Sequence, residues 1–148
     1  MRVVIGSDHA GFDQKERIKA HLAEEGYELT DVGTANAEDS VDYPDFAIAA
    51  SRLVASGKAG LGVLVCGTGI GMSIAANKVR GVRAALCNDL YTARMARQHN
   101  NANVLSIGAR IVAPELAEEI TRIFLDTQFE GGRHQRRIDE IAKIETQS

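Results

Sequence analysis

The chain has no tryptophan, and aromatic side chains make up only 5% of its 148 residues. Its interior must therefore be built mostly from Val, Ile, Leu and Ala. Cysteine is scarce, with Cys66 and Cys87 alone. Two thiols do not make the bridging framework of a small secreted domain, and such sparse usage points to a reducing compartment. An excess of positive charge is also missing: 17 Lys and Arg stand against 20 Asp and Glu, for a net charge of −3. No global basic field is available to hold nucleic acid or an anionic membrane, so any anion site must be a local cluster of Arg. The apolar stretch near the N-terminus is about five residues long, too short for a signal peptide or a membrane span, and nothing later is long enough either. Cytoplasm is the expected location.

The length suits one core, and residues 1–148 read as a single domain. Val3-Val4-Ile5 is a β-branched run ending at Gly6 and reads as a buried strand. Phe12 to Glu25 has helical spacing, with Ile18 and Leu22 four apart and Gly26 as a stop. Glu28 to Val32 predicts a second strand, and the polar, acidic segment from Thr34 to Tyr43 a loop. Pro44 suits the start of a helix, and Asp45 to Ser56 continues it. Leu61 to Cys66, apolar throughout, predicts a strand covered on both faces. Gly67 to Gly71 forms a tight turn, followed by helix over Met72 to Val79. A strand over Arg83–Cys87, a helix over Leu90–His99 and a strand over Val104–Ile107 come next. Pro114–Leu125 and Arg133–Ile144 predict two final helices. Strands alternating with helices across short connections argue an α/β fold, with a parallel sheet between helical layers.

In such a sheet, ligands bind beyond the carboxyl ends of the strands, where the strand order reverses. The first and third strands commonly flank that point. Asp8 and His9 follow the first of them, and Cys66 with Gly67-Thr68-Gly69-Ile70-Gly71 closes the third. Glycines let backbone approach a ligand, and free N–H groups at a helix start attract negative charge. The spacing is neither the dinucleotide fingerprint nor a P-loop. Cys66 stands just before those amides, where a helix N-terminus can stabilise a thiolate. A base there could take a carbon-bound proton while the amides hold the resulting enediolate oxygen. The bland alternative is a buried strand-end cysteine acting as a small hydrophobe, and that is the expectation for Cys87.

Arg133 and Arg137, four apart on the last helix, can present two guanidiniums on one face to a phosphate. Arg110, after the fifth strand, is expected at the same sheet edge as Cys66, and the paired arginines are expected to converge there too. His21 reads as surface or structural. His99 closes a helix, where a protonated histidine can cap the end. The histidines lack zinc-site spacing and the cysteines form no CxxC, so no metal is expected.

These residues together resemble the ribose-5-phosphate isomerase B family, within a wider group of allose-6-phosphate and galactose-6-phosphate isomerases. The resemblance rests on Gly6-Ser7-Asp8-His9-Ala10-Gly11, Asp42-Tyr43-Pro44, Cys66 to Gly71 with Ala75-Ala76-Asn77-Lys78, Arg97 to Asn101, and Glu130 to His134 with Arg137. It implies a three-layer Rossmann-like domain with a five-stranded parallel sheet and a C-terminal helix. It also implies a homodimer or tetramer with the active site at the subunit interface, and isomerisation of ribose 5-phosphate to ribulose 5-phosphate without a cofactor. Under it, Cys66 is the base, Thr68 shifts the hydroxyl proton, and the amides of Gly67, Gly69, Ile70 and Gly71 stabilise the enediolate. His99, with Asp8 nearby, assists ring opening. His9, Arg110, Arg133 and Arg137 hold the phosphate, some from a partner chain. Asn100 touches substrate oxygens, and Tyr43 is a pocket wall. Some members carry Glu elsewhere in the glycine loop; this loop has no acid, which places the chain in the cysteine branch. Arg136 has no role in the pattern. An isomerase of a four- or six-carbon phosphosugar and a non-catalytic phosphosugar-binding module are the alternatives.

Overall fold

The computed structural model describes residues 1–147. In chain order the elements are β1 (Arg2–Ser7), α1 (Phe12–Glu24), β2 (Glu28–Asp31), α2 (Tyr43–Ala55), β3 (Leu61–Cys66) and α3 (Ile70–Asn77). They continue with β4 (Ala84–Leu86), α4 (Leu90–Gln98), β5 (Val104–Gly108), α5 (Pro114–Asp126) and α6 (Arg133–Ile144). Every strand pair is parallel, and the order across the sheet is β2-β1-β3-β5-β4. The order therefore reverses between β1 and β3.

Strand alternation splits the core into two layers. Val3 and Ile5 of β1, Val63 and Val65 of β3, and Leu105 and Ile107 of β5 face α1, α4 and α5, where Ile18, Leu22, Ala93, Ala96, Ile120 and Phe124 are buried against them. Val4, Leu64, Cys66 and Val104 face α2 and α3, which supply Ala47, Ala50, Val54, Met72 and Ala76. Each fully buried Ile, Leu or Phe contributes about 1.5–3 kcal/mol relative to exposure. The all-apolar β3 is buried along its whole length, as a central parallel strand requires.

Helix ends differ from the sequence expectation at two places that matter for the site. α2 starts at Tyr43, with Pro44 in its first turn, so Tyr43 is held by a helix rather than a loop. α3 starts at Ile70, because the glycine turn winds directly into the helix. The loop after β2 is tied down by Lys15, a fully buried lysine whose Nζ lies 2.8 Å from Asp31 Oδ2 and 3.3 Å from the Thr34 carbonyl. No helix among the described residues is long and apolar enough to cross a membrane.

Candidate active site

The end of β3 places Cys66 under the first turn of α3. The backbone N–H of Gly69 donates to Cys66 Sγ at 3.2 Å, a bond that a thiolate accepts more strongly than a thiol does. Gly69 adopts φ +82°, and a Cβ there would collide with Leu86 Cδ1 at 2.5 Å. Only glycine turns the amide onto sulfur at this position. The carbonyl of Gly69 is fixed by the Ser106 hydroxyl at 2.7 Å. Thr68, exposed at the tip, accepts the Ile70 N–H at 3.2 Å through Oγ1. Cys66 itself is 5% exposed, so little of it meets solvent in the single chain.

Three more groups border the turn. The Tyr43 ring packs on Gly71, where a Cβ would lie 2.5 Å from the ring's Cζ. The Arg110 guanidinium lies over Gly67, and the Arg110 N–H donates to the Gly67 carbonyl at 3.0 Å. Asp8 and His9 sit at the end of β1, the neighbouring strand. Asp8 Oδ1 accepts the Gly11 N–H at 3.0 Å, and His9 Nδ1 accepts the Val41 N–H at 3.1 Å. That second bond leaves the Nε2 of His9 to carry its hydrogen. Asp8, His9, Tyr43, Cys66, Gly67, Thr68, Gly69, Ile70, Gly71 and Arg110 thus share the carboxyl edge, around the point of strand reversal.

His99, Asn100, Arg133 and Arg137 do not join them within one chain. α4 leaves β4 at the carboxyl edge and runs back to the start of β5, so the segment His99 to Asn103 stands at the amino edge. The Gly62 N–H at the start of β3 donates to the Asn103 carbonyl at 2.9 Å. α5 makes the same return, and the Glu130 N–H reaches the Gln98 carbonyl at 3.1 Å, which delivers Arg133 beside His99. Cys66 pairs with Gly108 and Gly62 with Val104, so four residues, or about 13 Å of strand, separate the levels of the two groups. The expectation that Arg133 and Arg137 share the sheet edge of Cys66 is therefore corrected for the single chain, in which Asp8 and His99 also lie at opposite edges. A helix in a parallel fold must carry the chain back to the opposite edge before the next strand can begin.

The amino-edge group has its own architecture. The rings of His99 and His134 stack with centroids 4.2 Å apart and planes at 13°. His134 is buried, at 6% exposure, and its Nε2 faces Glu130 Oε2 at 3.5 Å. Burial first, then the neighbouring His99, Arg133 and Arg137, hold the His134 imidazole below its ordinary pKa, against an opposing pull from Glu130. Arg83 donates to the carbonyls of Asn100 and Asn101, and Arg97 to those of Ala102 and Thr127 and to Asn101 Oδ1. Asn101 is left-handed at φ 44°, so two guanidiniums and one strained residue shape the turn that presents His99 and Asn100.

Among the described residues, the potential metal donors of His99, Glu130 and His134 lie within 4.8 Å of one another. Near-parallel imidazole planes direct their nitrogen lone pairs alongside one another rather than to a common point. The trio is thus a stacked pair with a carboxylate and lacks the convergence of a tetrahedral site. Cys87 is buried under α4, and burial pushes its thiol up to about 11, which suits an inert core residue.

Sequence reasoning missed Ser106, Arg83, Arg97, Glu130 and His134 as supports of the two groups. It also missed Asn88, whose Oδ1 accepts the Gly108 N–H at 2.9 Å. Asn88 follows β4 at the carboxyl edge, so the strand-end rule that singled out Asp8 could have found it.

Residues 3–141 match the model of a family described as Ribose/Galactose Isomerase. The chain belongs to that family. It is 48% identical over 144 residues to the ribose-5-phosphate isomerase B of Escherichia coli, covering 97% of this chain and 96% of that protein. It is 43% identical to the D-erythrulose-4-phosphate isomerase of Pectobacterium atrosepticum, covering 99% and 97%. The crystal structure of ribose-5-phosphate isomerase B from Mycoplasma genitalium with bound ribulose-5-phosphate superposes with a TM-score of 0.96 at 44% identity, covering 99% and 97%.

Proposed function

We propose that this protein interconverts D-ribose 5-phosphate and D-ribulose 5-phosphate through an enediolate, with Cys66 as the base. The observation that carries the reading is the Gly69 N–H aimed at Cys66 Sγ, in a glycine turn that leads directly into α3. The Cys66 thiolate takes the proton from C2 of the open-chain aldose. The electrons of that C–H bond form the C1–C2 double bond, and the carbonyl electrons move onto O1. Donors in the turn stabilise the charge that develops on oxygen. Thr68 passes the hydroxyl proton from O2 to O1, and Cys66 returns its proton to C1, which leaves the ketone at C2. Nothing is consumed, so the reaction needs no external oxidant.

The working unit in this reading is a homodimer, or a tetramer built from such dimers. The carboxyl edge of one protomer meets the amino edge of its partner. Asp8, His9 and Arg110 come from one chain, and His99, Asn100, Arg133 and Arg137 from the other. The division of the candidate residues between two edges supports this. So do Ile70 and Ile74 on α3, and Ile141 and Ile144 on α6, which are all more than half exposed. His99 serves ring opening: a proton leaves O1, the C1–O4 bond breaks, and O4 is protonated.

The relative that acts on a four-carbon phosphosugar supports a second reading, in which the same chemistry serves another chain length. A difference of one carbon is worth only about 1–3 kcal/mol in a pocket. The deciding experiment compares kcat/KM across four-, five- and six-carbon aldose phosphates, with Cys66→Ala as control. The proposal expects ribose 5-phosphate to lead the panel and Cys66→Ala to lose about a hundredfold or more, the usual worth of a positioned base. Near-wild-type turnover by Cys66→Ala would remove Cys66 from the mechanism, and binding without proton exchange at C1 or C2 would make the protein a binding module.

A further inference from the structure

His99 is half-buried and sits at the C-terminal end of α4, where its ring would otherwise rotate freely about two side-chain bonds. A flat ring 4.2 Å away and within 13° of parallel removes that freedom. The plate is itself immobile. His134 is buried in the first turn of α6, and its Nε2 faces the Glu130 carboxylate, which favours the tautomer with hydrogen on that nitrogen. Its backbone N–H donates to the Gly131 carbonyl at 3.1 Å. Glu130, one turn earlier, is anchored to the end of α4 by its own N–H on the Gln98 carbonyl at 3.1 Å. The two histidines are therefore locked to each other through backbone as well as through their rings.

We infer that His134 is a positioning residue for His99: stacked on it and backed by Glu130, it fixes the plane in which His99 presents its free nitrogen to the sugar. This inference rests on the reading of His99 as the group that opens the ring. Burial and the surrounding Arg133, Arg137 and His99 hold His134 below its ordinary pKa. The same surroundings disfavour a charge on the plate.

Three variants separate positioning from mere structure. His134→Ala removes the plate, His134→Phe restores a flat ring without nitrogen, and His134→Gln keeps a polar group near Glu130 without a ring. With ribose 5-phosphate, His134→Ala is expected to lower kcat about tenfold or more with KM changed less than about twofold, as for a misoriented group rather than a lost binding contact. His134→Phe is expected to recover most of that loss, and His134→Gln little of it. In parallel, the His99 ring protons are followed by NMR. Stacking shifts them upfield, and the shift is expected to survive in His134→Phe and to vanish in His134→Ala.

Equal activity in the Ala and Phe variants, or a loss confined to KM, would overturn the inference. Unmoved His99 signals in His134→Ala would also overturn it. If the wild type fails to turn over ribose 5-phosphate, the isomerase reading fails separately, and the NMR comparison still decides whether His134 orients His99.

Discussion

Cys66 and His99 stand at opposite edges of one sheet, the first closing β3 and the second closing the helix that returns the chain to the start of β5. If both act on one sugar, they come from different protomers. Cys66→Ala and His99→Asn are each expected to be inactive alone yet to complement when coexpressed. A mixed dimer carries both lesions in one site and none in the other. Random pairing of equal amounts gives about half mixed dimers with one intact site each, hence about a quarter of wild-type activity. Ribose 5-phosphate turnover of the copurified mixture checks this; no recovery would mean that each chain completes its own site.

Gly71→Ala is expected to damage substrate binding more than folding. The added Cβ meets the Tyr43 ring, which is 40% exposed and can swing outward. Stability should change by less than about 1 kcal/mol, because no backbone atom is displaced. On the reading of Tyr43 as a wall of the substrate pocket, the moved ring opens that wall, and KM should rise several-fold with a smaller change in kcat. Steady-state kinetics beside a urea melt separate the two effects.

Arg97→Ala is expected to cost about 2–3 kcal/mol, because charge-assisted bonds to carbonyls are lost and part-buried acceptors are left without donors. Arg97→Lys should recover only part of this, since an ammonium cannot reproduce the guanidinium fork. Urea denaturation measures the loss. The activity of the folded fraction should also fall, because the same side chain shapes the turn that carries His99 and Asn100.

Acid should weaken the fold through two groups. Partial burial alone would raise the Asp31 carboxyl, but Lys15, Lys19 and the Gly33 N–H outweigh it and hold its pKa below the ordinary value. Its stabilisation is complete above the ordinary value of about 3.9 and is lost as pH falls through the lowered one. His134 acts earlier: the unfolded chain takes up its proton near pH 6.5 while the folded chain resists, so stability drops below about that pH. Thermal melts from pH 7 to pH 3 should show both limbs, with His134→Phe flattening the upper and Asp31→Asn the lower.

Much of this was legible in the residues. The unbroken apolar run from Leu61 to Cys66 can only be a central strand, and glycines directly after it announce a backbone that must bend close to something. Tyr43 was harder, because whether the chain coils before or after Pro44 depends on what the first turn packs against. The separation of Arg133 from Cys66 was readable in principle: each helix reverses the chain, so any residue just after a helix belongs to the far edge. The embrace of His99 by His134 was not readable. Thirty-five positions separate them, and nothing in the basic stretch from Arg133 to Arg137 marks one member as buried.

The unequal surroundings of the two sulfurs make the protein a natural candidate for single-site chemical labelling. With its thiol near pH 11, Cys87 would present only about one ionised molecule in ten thousand at neutrality. A small alkylating reagent should therefore consume one equivalent per chain, and a sugar phosphate lodged over the glycine turn should slow that consumption.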